Sequence, residues 1–460
     1  MNYAKSNPDN SKLALVVVSL STFLAAFMGS SVNIALPVIG RELHMDAVAL
    51  GWVTTGFILA SVVSLVPFGR VADIYGRRKV LTWGVIVYTV ASSVLSLVHT
   101  SFLLIAMRFV QGVGSAMIFS TGVAIITSVF PRKERGKALG ISVAMTYLGL
   151  SLGPVIGGLL TENVGWRSIF WVTVPLGISI IILILWRMKG DWAEARGEKF
   201  DFVGSVTYGF VLVSVIYGFS RLPDIVGIGL IAAGIGGGVY FVWRGKNVKH
   251  AILNLDLFRK NRMFAFSNLA TLLNYSALFA VTFLLSLYLQ YIKGYNPQSA
   301  GLILVAMPAM QAIFSPLTGK LSDRIEPRIL ASTGMGINAA GLLALMFINK
   351  DTALHTIVLI LILMGVGYAF FTSPNSNAIM GSVNQRIYGV ASATMATMRQ
   401  VGMSFSMGIT LMLFSLYIGR VEITPQYYDM LMHSTRIAFT VFAVLCAAGI
   451  YFSLARGNTR

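Results

Sequence analysis

Long apolar stretches alternate with short polar ones along the whole chain. Each apolar stretch extends over about 20 residues with few charges, which is the pattern of a helix that crosses a lipid bilayer. The pattern predicts an all-α polytopic membrane protein with fourteen membrane-spanning helices. These spans are predicted at residues 13–37, 47–68, 79–98, 102–130, 138–161, 168–186, 202–221, 224–243, 263–291, 298–318, 329–349, 353–380, 389–418 and 435–455.

The composition supports a membrane protein. The 460 residues have a mean hydropathy of +0.76 and only 11% of them are charged, whereas a soluble domain carries about 25% charged residues. The single cysteine, Cys446, excludes an intramolecular disulfide. The sequence contains no phosphate-binding Gly-x-x-x-x-Gly-Lys-Ser/Thr loop and no Ser/His/Asp, Cys/His or metal-ligand cluster. We therefore expect neither an enzyme nor a bound metal or other cofactor.

The positive charges indicate how the chain is oriented. Its 35 Lys and Arg and 17 Asp and Glu give a formal net charge of +18. With the N-terminus inside, 26 of the basic residues lie in cytoplasmic segments, 7 in external segments, and Arg108 and Arg399 lie within spans. This asymmetry follows the positive-inside rule. It predicts a multi-pass protein of the cell membrane with both termini in the cytoplasm. Because the topology accounts for the positive charge, we expect no nucleic-acid partner.

An internal repeat divides the chain into two related parts. Gly69 and Asp73 recur as Gly319 and Asp323, 250 positions later, and residues further along recur at a spacing of 253. A nearly constant offset over more than 80 residues indicates two homologous halves of six helices each. Parallel halves around a central cavity are a design of secondary transporters.

The repeat also predicts the domain boundaries. Residues 1–190 would form an N-terminal six-helix bundle and residues 263–460 a C-terminal one. Residues 191–262 would then form a linker that carries two extra membrane-spanning helices.

Six short motifs lie on the loop after the second span and on spans 1, 4, 5, 6 and 13. They are SVNIALP (31–37), GRVADIYGRRK (69–79), RFVQGVG (108–114), GLSLGPVIGG (149–158), WRSIFWVTVPLG (166–177) and RQVG (399–402). Together they resemble the motifs of the major facilitator superfamily, and within it those of the fourteen-span drug:proton antiporter family. The resemblance covers nearly the whole chain and implies an exporter built from two six-helix bundles.

The loop after the second span is expected to take part in conformational change. Gly69 and Gly76 allow a tight turn between two helix ends, and Asp73 can meet a helix N-terminus or a neighbouring arginine. The resemblance implies that Asp73, together with Arg77 or Arg78, latches the two bundles together in the outward-open state. The alternative is that the basic residues only fix the topology.

The resemblance places the partner of this latch near Gly389 in the opposite bundle. The second copy of the loop keeps the aspartate as Asp323, but Glu326 stands where the first copy has Gly76. We therefore expect Asp73 to be the working latch and Asp323 to be its weaker relative.

The fifth span carries a row of small residues around a proline. Gly149, Gly153 and Gly157 lie four residues apart, so they share one helix face and allow another backbone to approach closely. Pro154 removes one backbone hydrogen bond and bends the helix, and Gly158 follows directly. These residues are predicted to pack helices or to form a bend that seals the cavity in one state, and the two roles are compatible.

Two arginines lie inside predicted spans, where a charge is costly and usually functional. Arg108 lies about two turns into the fourth span, and Arg399 lies in the thirteenth. By resemblance, Arg108, Arg399 and Gln111 are assigned to the coupling of protonation to conformational change. Snorkelling of Arg108 to the interface and a packing role for Arg399 are the alternatives.

The chain departs from the fourteen-span family in its first helix. Met28 stands where that family usually carries an aspartate, five residues before Asn33. None of the 17 acidic residues lies in the middle of a predicted span. The sequence therefore lacks both the usual membrane proton carrier and an internal anion that would hold a cationic drug.

Polar and aromatic side chains within the spans are candidates for a substrate site. An adaptable cavity needs aromatic surface and a few polar groups, although such residues also serve packing or face lipid. The candidates are Asn33, Trp171, Asn274, Tyr275 and Phe371.

These observations predict a secondary active exporter that moves amphipathic small molecules by alternating access. Within that class, a proton-coupled multidrug antiporter that works as a monomer is the leading hypothesis. Export of lipids, lipid-like metabolites or organic anions is the alternative, and two buried arginines without acidic partners point that way. A membrane sensor that moves no solute is a third hypothesis, from another class.

Overall fold

The structure is a computed structural model, and it describes residues 8–246, 248, 252, 255–384 and 388–457. The first seven and last three residues, and hence the two termini themselves, lie outside the described residues. The described chain is helical, with short connections.

The N-terminal bundle contains six helices. They are α1 (Pro8–Glu42), α2 (Ala47–Tyr75), α3 (Arg77–Leu95), α4 (Ser101–Val129), α5 (Arg132–Asn163) and α6 (Arg167–Trp186). Local chemistry sets several of these ends. The Asp46 side chain accepts a hydrogen bond from the Ala49 N–H at 2.7 Å and caps α2. Gly76 has φ of +119°, which favours glycine, and it separates α2 from α3.

Two further long helices follow a connection at residues 187–201. They are α7 (Phe202–Phe219) and α8 (Ile225–Gly245), and a short helix, α9 (Leu255–Lys260), comes after them. α7 packs against α2, α8 and α15 (bounds given below). The Tyr208 hydroxyl donates a hydrogen bond to the Val62 carbonyl of α2, and Ile216 packs beside Gly408 of α15. The inserted pair is therefore anchored through α7 to one helix of each bundle.

The C-terminal bundle begins with α10 (Arg262–Leu287), which continues as a π-helical turn at Tyr288–Ile292. It also contains α11 (Pro297–Leu304), α12 (Ala306–Leu321), α13 (Pro327–Leu345), α14 (Leu354–Gly381), α15 (Tyr388–Tyr417) and α16 (Tyr428–Ala455). α11 and α12 are separated only at Val305 and together correspond to one predicted span, 298–318.

Thirteen helical segments of the described chain are long and apolar enough to cross a membrane, with α11 and α12 counted together. α3 is not among them, although it lies at the third predicted span. Its first turn contains Arg77, Arg78 and Lys79, which lower the hydropathy of a helix of only 19 residues.

The two bundles meet at the end of the molecule that holds residues 43–46, 164–166 and 293–296, which we call the closed end. There the Ser286 hydroxyl donates to the Asn33 carbonyl at 2.7 Å. α5 also meets α11, because a Cβ at Gly158 would collide with the backbone of Pro297. These contacts fix α1 and α5 of one bundle against α10 and α11 of the other.

The opposite end, where α1 begins and α16 ends, is called the terminal end. Here Gly136 and Gly140 of α5, and Gly389 of α15, have no other atoms within 4 Å of their Cβ positions. These three glycines are therefore exposed at the terminal end.

Candidate functional site

Five polar or aromatic side chains from both bundles converge near the middle of the molecule. Each lies near the centre of its span, and we call them the central cluster. They are Tyr147 of α5, Tyr275 of α10, Gln311 of α12, Tyr368 of α14 and Arg399 of α15.

Aromatic contacts organise this cluster. The rings of Tyr275 and Tyr368 meet edge to face, with centroids 5.5 Å apart and an interplanar angle of 87°, a favourable geometry for aromatic pairs. Tyr147 crosses from the N-terminal bundle to the Gln311 side chain of the C-terminal bundle. α15 reaches Tyr275 closely at Gly402, where a Cβ would lie 2.9 Å from the Tyr275 Cβ. The cluster therefore spans the interface between the bundles.

Arg399 supplies the charge of the central cluster. Its guanidinium is half-buried and acts electrostatically on Tyr147 and Tyr368. The ion pairs found in the described part of the chain do not include Arg399. The centre of the molecule thus carries a positive charge that no described acidic side chain neutralises.

Space is available beside α1 at the same height. Gly29 is near the middle of α1, is half-buried, and has no other atoms within 4 Å of its Cβ position. Its neighbour Met28 is fully buried. A side chain at Gly29 would therefore enter open space beside α1.

Arg108 lies elsewhere, fully buried within the N-terminal bundle. Its Nε donates to the Val53 carbonyl at 3.0 Å, and its guanidinium lies 4.3 Å from the Phe57 ring centroid. Nη1 donates to Gln111 Oε1 at 2.5 Å, and Gln111 in turn donates to the Ser92 hydroxyl at 2.8 Å. The structure therefore joins Arg108 and Gln111 in one network that links α2, α3 and α4, and it does not place them in the central cluster.

At the terminal end, Arg77 organises the loop between α2 and α3. It donates to Asp73 Oδ1 from both Nε and Nη2, at 2.9 and 2.7 Å, and to the Ser128 hydroxyl at 2.6 Å. It also holds Glu194 through two hydrogen bonds of 2.8 and 3.0 Å. Burial raises the pKa of Glu194, but the hydrogen bonds and charge of Arg77 outweigh this effect and leave that pKa below its usual value of 4.5.

A segment at residues 191–198, which we call the strap, lies along this loop. Lys79 pairs with Asp191 at 3.3 Å, and Arg70 pairs with Glu198. Two backbone hydrogen bonds lie between these ion pairs: the Arg77 N–H donates to the Trp192 carbonyl at 3.0 Å, and the Ala195 N–H donates to the Asp73 carbonyl at 2.9 Å. The sequence analysis did not assign the strap, although its three acidic residues at spacings of three and four are a visible signal.

The other residues of the predicted latch are spread around this loop. Gly69 faces Ser120 of α4, with 3.6 Å between its Cβ position and the Ser120 Cβ. Arg78 turns away and donates to the Ile184 carbonyl of α6 at 3.1 Å. Gly389, the predicted partner of Asp73, stands in open space. Asp323 of the second copy lines a polar pocket of about 640 Å³ in the C-terminal bundle.

The small residues of α5 contact two neighbouring helices, α1 and α11. Gly149, Gly153 and Gly157 face α1, and the Ser31 hydroxyl of α1 donates to the Gly153 carbonyl at 3.0 Å. Pro154 and Gly158 instead face α11 of the other bundle. The row of small residues thus contacts a helix of its own bundle on one face and a helix of the other bundle on another face.

The structure brings only Tyr275 of the predicted substrate residues into the central cluster. Asn33 accepts a hydrogen bond from Thr54 at 2.9 Å and belongs to the closed end. Trp171 is 63% exposed on α6, a helix that packs against α1, α3 and α5. Asn274 and Phe371 are buried within the C-terminal bundle. Tyr147 was missed, because a tyrosine within an apolar stretch carries no distinctive sequence signal.

The sequence model described as Major Facilitator Superfamily matches residues 18–407, with a second match over residues 267–459. The chain belongs to the Major Facilitator Superfamily. The superfamily, its all-helical fold and a transporter role in place of an enzyme are thereby confirmed as predicted.

Two curated relatives are similar over most of the chain. The riboflavin transporter RibZ of Clostridioides difficile is 28% identical over 397 residues, covering 86% of each chain. The multidrug resistance protein Stp of Mycobacterium tuberculosis is 30% identical over 407 residues, covering 86% of this chain and 74% of Stp. Relatives of different substrate classes are therefore about equally similar to this superfamily member.

A solved structure shares the fold. It is a bacterial homolog of the human lysosomal transporter Spinster, in an inward-facing and unoccupied conformation. The TM-score is 0.70 at 15% sequence identity, and the match covers 98% of this chain and 97% of that one. This likeness establishes the superfamily fold.

Proposed function

We propose that the chain is a secondary active exporter that carries amphipathic compounds out of the cell by alternating access, in antiport with protons. The observation that carries this proposal is the central cluster, in which Tyr147 of one bundle faces Gln311 of the other near mid-height. A site shared by both bundles changes its accessibility when the bundles rock around it.

The positions of the open and closed ends support this mechanism. The closed end is sealed by α5 against α11 and by α1 against α10. The hydrogen bonds between α1 and α10 lie toward this closed end. We assign the terminal end to the cytoplasm, because most of the basic residues are found there, and propose that it is the open one. In this conformation a compound enters the site from the cytoplasm.

The proposal includes fourteen spans. α3 crosses as the fourteenth, since it packs along α4 and α6 and its basic first turn lies at the cytoplasmic surface. α7 and α8 are then extra spans between two six-helix bundles, and the transporter works as a monomer in the lipid bilayer.

The latch is part of the proposed cycle. In the conformation described here, Asp73 is held by Arg77 within its own bundle, while Gly389 is exposed and has open space at its Cβ position. When the terminal end closes, Asp73 would meet the start of α15, whose helix N-terminus attracts an anion.

A second candidate function is export of organic anions or lipid-like metabolites. The unneutralised charge of Arg399 favours it, and the described helices carry no acidic side chain near the central cluster to receive a cationic drug. The relatives are divided in the same way, since one is named for drug resistance and another for riboflavin.

The test is transport by the purified protein in lipid vesicles with an imposed pH gradient. Uptake of cationic, neutral and anionic amphiphiles is measured with and without the gradient. Gradient-dependent uptake of any of them supports proton-coupled export. If the protein moves none of the three classes, the remaining hypothesis is a membrane sensor that transports no solute.

A further inference from the structure

The central cluster combines one cation with three phenol rings. Arg399 has no ion pair with any described acidic residue, and all 17 acidic residues of the sequence lie at or beyond the ends of the helices. A charge held near the middle of the membrane without a counter-ion is costly. An anionic ligand at this position would neutralise the charge of Arg399.

The neighbouring side chains indicate which other groups such a ligand would carry. Tyr275 and Tyr368 present an edge-to-face pair, so an aromatic ring can extend the arrangement by stacking or by a further edge contact. The hydroxyl of Tyr147 and the amide of Gln311 add hydrogen-bonding groups from opposite bundles. Tyr147 is only partly buried, so its ring remains accessible from the space between the bundles.

We propose that the central cluster binds an aromatic compound with an anionic group, whose charge lies against Arg399 and whose ring lies against Tyr275 and Tyr368. This inference rests on the proposed export function and specifies its substrate class. A cation is disfavoured at the same place, because it would meet the positive charge of Arg399 without a compensating carboxylate.

An anionic substrate also affects the driving force. An inside-negative potential of 100 mV favours outward movement of one negative charge by about 50-fold. Export of an anion and entry of a proton move charge in the same favourable direction. A substrate of this charge would make export respond to the membrane potential directly.

The test compares two probes that share a ring system and differ in charge. 8-Anilinonaphthalene-1-sulfonate is an anion, and N-phenyl-1-naphthylamine is its neutral counterpart. Binding of both is measured by fluorescence titration of the purified full-length protein. We expect the anion to bind at least about 10-fold more tightly, because a charge-assisted hydrogen bond to Arg399 is added. Equal affinity of the two probes in the wild-type protein would overturn the proposal without any variant.

The variant R399Q removes the charge and keeps hydrogen-bonding capacity. It should weaken binding of the sulfonate by about 10-fold and leave the neutral probe within about 2-fold. R399K should keep most of the discrimination. R420Q, which removes an exposed arginine just beyond α15, is the matched control and should change neither probe. Unchanged sulfonate binding in R399Q, or equal loss of both probes, contradicts the proposal.

Transport measurements in vesicles distinguish a failure of this inference from a failure of the proposed export function. If vesicles move the neutral probe or ethidium but not the sulfonate, the anion site is wrong and export stands. If the sulfonate binds through Arg399 but no compound is moved, the site stands and export is wrong.

Discussion

Arg77 and Glu194 are joined by two parallel hydrogen bonds, of 2.8 and 3.0 Å, although 117 positions separate them in the sequence. Arg77 belongs to the loop between α2 and α3 of the N-terminal bundle, and Glu194 belongs to the strap that leads to the inserted helices. The same guanidinium also holds Asp73. The strap therefore stabilises the loop in the arrangement where Asp73 stays within its own bundle.

Removing the Glu194 carboxylate should weaken the attachment of the strap to the loop between α2 and α3. In E194Q we expect a larger population with the terminal end closed, because one partner of Arg77 is lost and the loop can reorganise. Spin labels at Gly140 and Gly381, two positions with open space on different bundles, would report a shorter distance by double electron–electron resonance. E162Q, which removes an exposed carboxylate at the other end of α5, is the control. An unchanged distance distribution in E194Q would rule out the strap as a restraint.

The same contact predicts a pH dependence of stability. The pKa of Glu194 is lower in the folded protein than its usual 4.5, so its contribution to stability is fully present above pH 4.5. It is lost as the pH falls through the lowered value and the carboxylate becomes protonated. The difference in thermal unfolding temperature between wild type and E194Q should be constant from about pH 7 to pH 5 and shrink in more acidic solution. Because two-thirds of the side chain is exposed, we expect a small difference; one that grows on acidification would be inconsistent with this charge pair.

Asp73 is the proposed latch to the opposite bundle. D73N should slow transport several-fold while leaving folded protein yield nearly unchanged, since its contacts lie at the surface of the terminal end. D323N is the matched variant in the second copy of the loop and should have a weaker effect. Initial rates of uptake in vesicles, normalised to folded protein, test this. Wild-type rates in D73N would exclude the latch.

Arg108 connects three helices inside the N-terminal bundle. R108A leaves a cavity at a fully buried position and deprives the Val53 carbonyl and Gln111 Oε1 of their donor. We therefore expect the free energy of unfolding to fall by about 3 kcal/mol. Coupled transport should be lost in R108A and partly kept in R108K. Downhill substrate flux without a pH gradient distinguishes coupling from folding: flux that persists in folded R108A indicates a coupling role. Full coupled activity of R108A would refute both roles.

Gly158 permits the close approach of α5 and α11 at the closed end. A Cβ there would collide with the Pro297 backbone, so G158A should destabilise the closed end and favour conformations in which it opens. G140A, on the same helix but in open space, should have no such effect. Labelling of a cysteine placed at Gln298 should accelerate in G158A and not in G140A. Equal labelling rates would show that this contact does not seal the molecule.

The spans and their order could be predicted from the sequence. Burial of an apolar stretch in lipid depends on local hydropathy, and topology depends on the basic residues of each loop, so both are local properties. The exception is α3, where a basic first turn lowers the hydropathy of a short helix. The repeat at a spacing of 250 likewise indicated the two bundles before any contact was known.

The membership of the site was decided by tertiary structure. Tyr275 and Arg399, which the sequence analysis named, lie in the central cluster. Trp171 is exposed on α6 instead, and Tyr147 of the cluster was not named from the sequence. Every helix of a bundle has apolar residues on all sides, since some face lipid and others face protein. Hydropathy therefore does not reveal which face of a helix points to the cavity.

The ion pairs of the strap were likewise decided by tertiary structure and not by the sequence. Asp191, Glu194 and Glu198 are ordinary charged linker residues in the sequence, and only folding places them beside Lys79, Arg77 and Arg70. The sequence by itself determined the pattern of apolar stretches and the superfamily motifs, because these depend on local chemistry. It also predicts an orientation from the basic residues of the loops. Tertiary structure alone decided which charges the strap meets, because its ion pairs join residues more than 100 positions apart.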